Sequence, residues 1–163
     1  MASRLAHSVF IWGGAALLFL HPRRSRLLLY PLLPRSVWIV WGGVVLVALG
    51  LGFSAWARAH LGRFWSGTVT LKAEHVLIRT GPYAWTRHPI YTGLLLALIG
   101  TALVRGTLAA FAGLVLLVAG VMLKIRQEER LLSEHFGASY RAYQAEVPAV
   151  VPRLRSGSNR TIA

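Results

Sequence analysis

The sequence has no cysteine, no aspartate and only five acidic residues, Glu74, Glu128, Glu129, Glu134 and Glu146. Without cysteine there are no disulfides, thiolate metal sites or cysteine nucleophiles. The six histidines are scattered, with no aspartate or cysteine beside them, so no metal site is expected. A glycine-rich dinucleotide fingerprint and a phosphate-binding loop are also missing. Charged residues make up only 14% of the chain, and 18 Lys and Arg against five acids give a formal charge of +13. On a polar chain that charge would suit nucleic acid. Here the basic residues flank apolar runs, so anionic lipid head groups are the expected partner and nucleic acid is not.

Apolar sequence fills the chain: 55% of residues are hydrophobic, and the mean hydropathy of +0.55 is high for a soluble domain. Ser36 to Ala57 carries no charge, and at about 1.5 Å per residue it is long enough to cross a hydrocarbon core of about 30 Å. Gly106 to Leu123 is also charge-free, whereas Pro89 to Val104 is slightly short for a straight span. Arg105 and Gly106 join these two so tightly that they read as a helical hairpin. The run Leu5 to Leu20 reads either as a short span or as an interfacial helix. It does not read as a cleaved signal peptide, because HPRRSR follows it without a small-residue cleavage site.

The expected fold class is therefore all-α, an integral membrane protein with about four transmembrane helices. Residues 1–152 form one domain, and the polar tail 153–163 is expected to be disordered. Four crossings put 13 Lys and Arg on the side holding the N-terminus, the 58–88 segment and the C-terminus, against five on the other. That bias predicts a cytoplasmic location for both long polar segments. Arg23, Arg24, Arg26 and Arg35 fit it badly, which leaves two alternatives: the first run does not cross, or Leu27 to Pro34 dips into the membrane. Gly106, Gly113 and Gly120 recur every seven residues, as do Gly93 and Gly100. This spacing either builds close helix contacts or reflects the general glycine content of membrane helices.

Chemistry is expected in the two polar segments. In the first, HVLIRTGPY reads as a short extended stretch and a turn at Gly81-Pro82. Pro89 suits a first helical turn, so His88 should sit at the mouth of the helix near free backbone N–H groups, with Tyr91 about one turn deeper. Arg87, His88 and Tyr91 form a polar cluster able to bind a carboxylate or phosphate, or to anchor the chain at head-group depth. In the second segment Ile125, Glu129, Leu132 and Phe136 share a helix face. That puts Glu129 on the apolar side, where a carboxylate is costly unless paired or used. Glu128 is adjacent, and Arg126 and Arg130 are close enough to neutralise either acid. Tyr140 and Tyr143 share a later helical face, before Val147-Pro148 ends it.

Two stretches, LIRTGPYAWTRHPIYTG (Leu77 to Gly93) and EERLLSEHFGASYRAYQAEVP (Glu128 to Pro148), resemble the isoprenylcysteine carboxyl methyltransferase family and, more broadly, phospholipid N-methyltransferases. The resemblance covers about residues 58 to 152. It implies an all-helical membrane methyltransferase that uses S-adenosylmethionine without a nucleotide-binding sheet, and an acceptor that is hydrophobic or dissolved in the membrane. Carried over residue by residue, Gly81, Pro82, Tyr83, His88, Tyr91, Glu128, Glu129 and Tyr140 would contact the cofactor. Glu129, Arg87 and Tyr143 would serve the reaction centre. Membrane sterol and steroid reductases, which use NADPH, also carry an Arg-His…Tyr-x-Gly element. Their version has asparagine before the tyrosine and an acid after the glycine, where this chain has Ile90 and Leu94. A non-enzymatic membrane scaffold is the third alternative.

Overall fold

The computed structural model describes residues 2–20, 25–62 and 77–152. His75 and Val76 of the expected extended stretch, and the tail from Arg153, lie outside the described residues. Five α-helices follow in order: α1 Ala2–Phe19, α2 Val37–Leu61, α3 Pro89–Arg105, α4 Leu108–Phe136 and α5 Ala138–Glu146. A 3-10 turn, Gly81–Ala84, precedes α3. The all-α expectation holds, and residues 77–79 have no regular structure.

Helix ends follow local chemistry. Proline opens α3 as its first residue, with His88 just outside in a non-helical conformation (φ -123°, ψ 59°). Gly106 ends it with φ 60°, a conformation that costs glycine nothing. Thr107 then caps α4, its side chain accepting from the Ala110 N–H at 3.4 Å. The first two N–H groups of α4, on Leu108 and Ala109, donate to the carbonyls of Tyr30 and Leu28. The Leu28–Leu33 segment thus folds over the start of α4 and satisfies groups that a helix alone leaves free. Gly137, at φ 54°, breaks the chain between α4 and α5.

The helices pack as two antiparallel pairs, α2 with α3 and α1 with α4. Glycines set both interfaces. A Cβ on Gly43 would meet the Gly100 carbonyl oxygen at 2.7 Å, and Gly50 faces Gly93 in the same way. In the other pair, a Cβ on Gly14 would meet the Gly113 carbonyl oxygen at 2.7 Å, while Gly120 lies against Phe10 and Ile11. Of the heptad glycines, four therefore serve close approach, and Gly106 serves the turn. Although α3 and α4 are consecutive, each packs mainly on a different helix. The first apolar run is a helix seated on α4, with Leu18 fully buried against Ala110 and Leu117.

Two helices, Val37–Leu61 and Leu108–Phe136, are long and apolar enough to cross a membrane, and His7–Phe19 and Pro89–Arg105 are shorter apolar helices. Only 17% of the most apolar stretch of α2 is buried. Its outer face exposes Trp38, Trp41, Val45 and Leu49, an apolar surface larger than a water-soluble monomer normally leaves open.

Neighbouring glycines provide a test of the packing. Gly43→Ala is expected to lower the unfolding temperature in detergent, because overpacking of about 1–3 kcal/mol outweighs the gain of about 1 kcal/mol in helix propensity. Gly42→Ala, with nothing within 4 Å of the added carbon, should leave stability unchanged or raise it. Equal behaviour of the two variants would contradict the interface.

Candidate functional site

The two polar segments meet where the start of α3, the polar half of α4 and the end of α5 converge. Glu129 is the centre. Its Oε1 accepts from Arg87 Nε at 2.8 Å and from Arg87 Nη2 at 2.6 Å, and His88 Nε2 lies 3.2 Å away. Gln144 Nε2 reaches its other oxygen at 3.5 Å. Glu128, one residue earlier, accepts from the Tyr91 hydroxyl at 2.5 Å, and His88 Nδ1 lies 3.7 Å from its second oxygen. His88 therefore stands between two carboxylates. The partner of Glu129 is Arg87, 42 residues away, rather than Arg126 or Arg130; Arg130 pairs instead with Glu134 at 3.0 Å on the exposed side.

Arg87 is committed on every side. Beyond Glu129 it donates to the carbonyl of Gln144 at 3.1 Å and to that of Val147. It thereby ties the mouth of α3 to α4 and to the end of α5. The backbone there is engaged as well: the N–H groups of Arg87 and His88 donate to the carbonyls of Pro148 and Ala149 at 2.9 and 3.0 Å. Thr86 and Thr92 add bonds to the carbonyls of Ala149 and Val150, at 2.6 and 2.7 Å. The expected free N–H groups at His88 are thus occupied by the chain that follows α5. The irregular, bent segment beyond Val147 has unpaired carbonyls to place, and this helix mouth takes them.

The aromatic wall is built around the Gly81–Ala84 turn. Gly81 has φ 59°, and the His60 ring lies against it, so that a Cβ would come within 2.7 Å of His60 Cε1. His60 also bonds Thr80 at 3.0 Å and stacks on Tyr83. Pro82 and Tyr83 are buried. The Tyr143 hydroxyl donates to the Tyr83 carbonyl at 2.6 Å, and Arg79 lies 5.2 Å over the Tyr143 ring. Tyr140 is 1% exposed, and its hydroxyl has no hydrogen-bond partner among the described residues. Ser54 on α2 supports the site from below, donating to the Ile90 carbonyl at 2.9 Å.

Charges follow from these contacts. Burial alone would raise the Glu129 carboxyl, but the hydrogen bonds and positive charge of His88 and Arg87 outweigh it and hold the group below its usual range. Burial pushes the Tyr143 hydroxyl up to about 12, against the pull of Arg87 and Arg79. Tyr83 and Tyr140 are raised by burial too, Tyr140 further by the Glu129 charge. All three phenols therefore stay protonated at neutral pH, and Tyr143 donates to the Tyr83 carbonyl.

All ten residues singled out from sequence lie in this region. Sequence reasoning missed Thr86, Thr92, Gln144, Arg79 and His60. Thr86 and Gln144 act through bonds to partners far along the chain, which leave no local pattern. The geometry of His60 was implied only by the glycine at position 81.

Among the described residues there is no strand and no cluster of metal-ligating side chains. The class is thus an all-α protein that holds a carboxylate-centred site between helix ends. The sequence model of the Isoprenylcysteine carboxyl methyltransferase (ICMT) family matches residues 43–134, and the chain belongs to that family. It is 36% identical over 113 residues to Protein-S-isoprenylcysteine O-methyltransferase of Saccharomyces cerevisiae, covering 68% of this chain and 47% of the yeast protein. It is also 34% identical over 117 residues to the Cobalt-zinc-cadmium resistance protein CzcN of Cupriavidus metallidurans, covering 70% and 52% respectively. A solved structure of the eukaryotic intramembrane Ras methyltransferase ICMT superposes with a TM-score of 0.63 at 26% identity, covering 93% of this chain and 50% of the other. The chain spans about half the length of these relatives.

The lowered Glu129 carboxyl gives a pH test. A depressed folded value stabilises the fold above the ordinary 4.5, and this contribution is lost as pH falls through the folded value. Wild-type protein should therefore lose more unfolding temperature than Glu129→Gln when acidified from pH 6 through that range, by an amount read from parallel melts. Identical acid limbs would remove Glu129 as their source.

Proposed function

We propose that this chain is an S-adenosylmethionine-dependent methyltransferase whose acceptor is a hydrophobic molecule dissolved in the membrane. The observation that carries the reading is the joining of the two motifs into one site by the Arg87–Glu129 and Tyr91–Glu128 contacts. Family membership supports the same activity.

The residues present fit the cofactor. Bound S-adenosylmethionine supplies an electrophilic methyl on a sulfonium cation, alongside an ammonium and a carboxylate. Arg87 already neutralises Glu129, whereas the closest partner of Glu128 is the uncharged Tyr91 hydroxyl. Glu128 is therefore the carboxylate left to hold a cationic group, and Glu129 positions His88 and Arg87 beside it. His88 Nδ1, 3.7 Å from the nearest Glu128 oxygen, is the ring nitrogen left to donate toward a carboxylate. The unpartnered Tyr140 hydroxyl is a buried polar group of the kind that a polar ligand satisfies. Gly81, Pro82 and Tyr83, held by His60 and Tyr143, form the adjoining wall. Methyl transfer depends on in-line alignment and exclusion of water more than on a strong acid or base. No side chain here is set up as a base, which favours a carboxylate or thiolate acceptor over an amine, since an amine must shed a proton.

We further propose that α1, α2, α3 and the apolar part of α4 cross the membrane, with α3 and α4 as a hairpin. The antiparallel pairing of α1 with α4 and of α2 with α3 is what four alternating crossings require. The site, the 58–88 segment and the C-terminus then lie on the cytoplasmic side with 13 of the basic residues. Anionic head groups are the partners of these residues.

Calorimetry on the detergent-purified protein tests the reading. S-adenosylmethionine should bind saturably, and His88→Ala and Glu128→Gln should each weaken it by roughly tenfold or more, the worth of a charge-assisted hydrogen bond. Binding of NADPH alone would shift the reading to a reductase. If folded protein bound neither ligand, the scaffold alternative would stand.

A further inference from the structure

The end of the bundle remote from Glu129 holds a half-open cleft of about 710 Å³. It lies between the Leu29–Pro34 segment, the start of α2 and the end of α3. Its walls are apolar, formed by Leu33, Ile39, Val40 and Val104 among others, and among the described residues its only charged lining side chains are Arg35 and Arg105. This is within the size range of cavities that enclose small apolar ligands. The cleft is a built feature. Leu32 and Leu33 N–H groups donate to the Gly106 carbonyl at 2.8 and 3.3 Å, and Pro31 bridges Thr107. The backbone forming its floor is thus fixed.

The two arginines differ. Arg105 donates to the carbonyls of Phe19 and Leu20 at 3.3 and 3.0 Å and closes the end of α1. Arg35 is exposed and makes no ion pair among the described residues. Every described acid, Glu128, Glu129, Glu134 and Glu146, lies on the polar half of α4 or on α5, at the opposite end. Among the described residues this end is therefore cationic without internal compensation. Its depth is marked by aromatics: Tyr30, Trp38 and Trp41 are exposed here, and Trp56 and Trp85 at the other end. From Trp38 to Trp56 α2 rises about 27 Å at about 1.5 Å per residue, close to a hydrocarbon thickness of about 30 Å. Trp38 and Arg35 then sit together at head-group level.

We propose that this cleft binds one anionic phospholipid of the leaflet opposite the proposed methyl-transfer site, an acyl chain lying along Ile39, Val40 and Val104 and the phosphate facing Arg35. The proposal rests on the membrane-spanning reading above but not on methyl transfer. It also accounts for Arg35, one of the arginines that charge bias alone leaves on the opposite side: it serves a lipid rather than orientation.

The test uses the full chain reconstituted in phosphatidylcholine vesicles, with membrane insertion checked separately by resistance to alkaline extraction. Electron spin resonance then compares spin-labelled phosphatidylglycerol with spin-labelled phosphatidylcholine of the same acyl chains. The anionic lipid is expected to associate about fivefold more strongly, the worth of one arginine at the surface. Arg35→Gln should remove most of this excess, Arg35→Lys should keep it, and Arg141→Gln, one basic residue among many at the other end, should lower the ratio much less. Equal association of the two lipids with wild-type protein would overturn the proposal. So would a ratio unaffected by Arg35→Gln, or an equal loss in Arg141→Gln, which would indicate general surface charge. Displacement of the labelled lipid by soluble glycerol 3-phosphate would show a site for free phosphate and would equally overturn it.

Discussion

A carboxylate withdrawn from water on the apolar side of a helix must be paired, and the pairing of Glu129 with Arg87 organises the rest of the site. The cost of burying either group alone is several kcal/mol. The chain meets it with several short contacts: two guanidinium nitrogens and a histidine on one oxygen, and a glutamine amide near the other. Because Arg87 also donates to carbonyls at the end of α5, one ion pair fixes three segments. His88, adjacent in sequence, is then held between Glu128 and Glu129 without needing a partner of its own elsewhere.

That arrangement is only possible because the helices approach so closely. Glycine against glycine in α2–α3 brings the start of α3 against the end of α2, where Ser54 holds the Ile90 carbonyl and His60 supports the Gly81 turn. Glycine against glycine in α1–α4 anchors the long helix that carries both glutamates. The same pairing leaves the other end of the bundle to be closed by the Leu28–Leu33 segment. There the apolar cleft and the uncompensated Arg35 lie. One end gathers the acids, the other is left cationic, and the apolar length between them matches a bilayer.

Much of this was legible in sequence where the signal is local. Proline at position 89 marks the start of α3 and puts His88 at its mouth. The spacing of Ile125, Glu129, Leu132 and Phe136 places Glu129 toward the interior, and Val147-Pro148 marks the end of α5. Heptad glycines marked interfaces but not which helices they join. The α3–α4 sequence proximity suggested one pairing, whereas glycine contacts put α3 on α2 and α4 on α1. Local reasoning also took Arg126 and Arg130, within one turn, as close enough to neutralise either acid. The actual partner is 42 residues distant, and nothing in the flanking sequence encodes that choice. The irregular segment after Val147, which occupies the N–H groups of Arg87 and His88, carries no periodicity and was invisible for the same reason.

The most direct test of this account is a double-mutant cycle between Arg87→Met and Glu129→Gln, read from unfolding free energies in detergent. If the pair clasps the two motifs, each single variant strands a buried partner and the double variant loses much less than the sum, with a coupling of about 1–3 kcal/mol. Additive losses, with no coupling beyond error, would mean that Arg87 and Glu129 act independently and that the site is held together by something else.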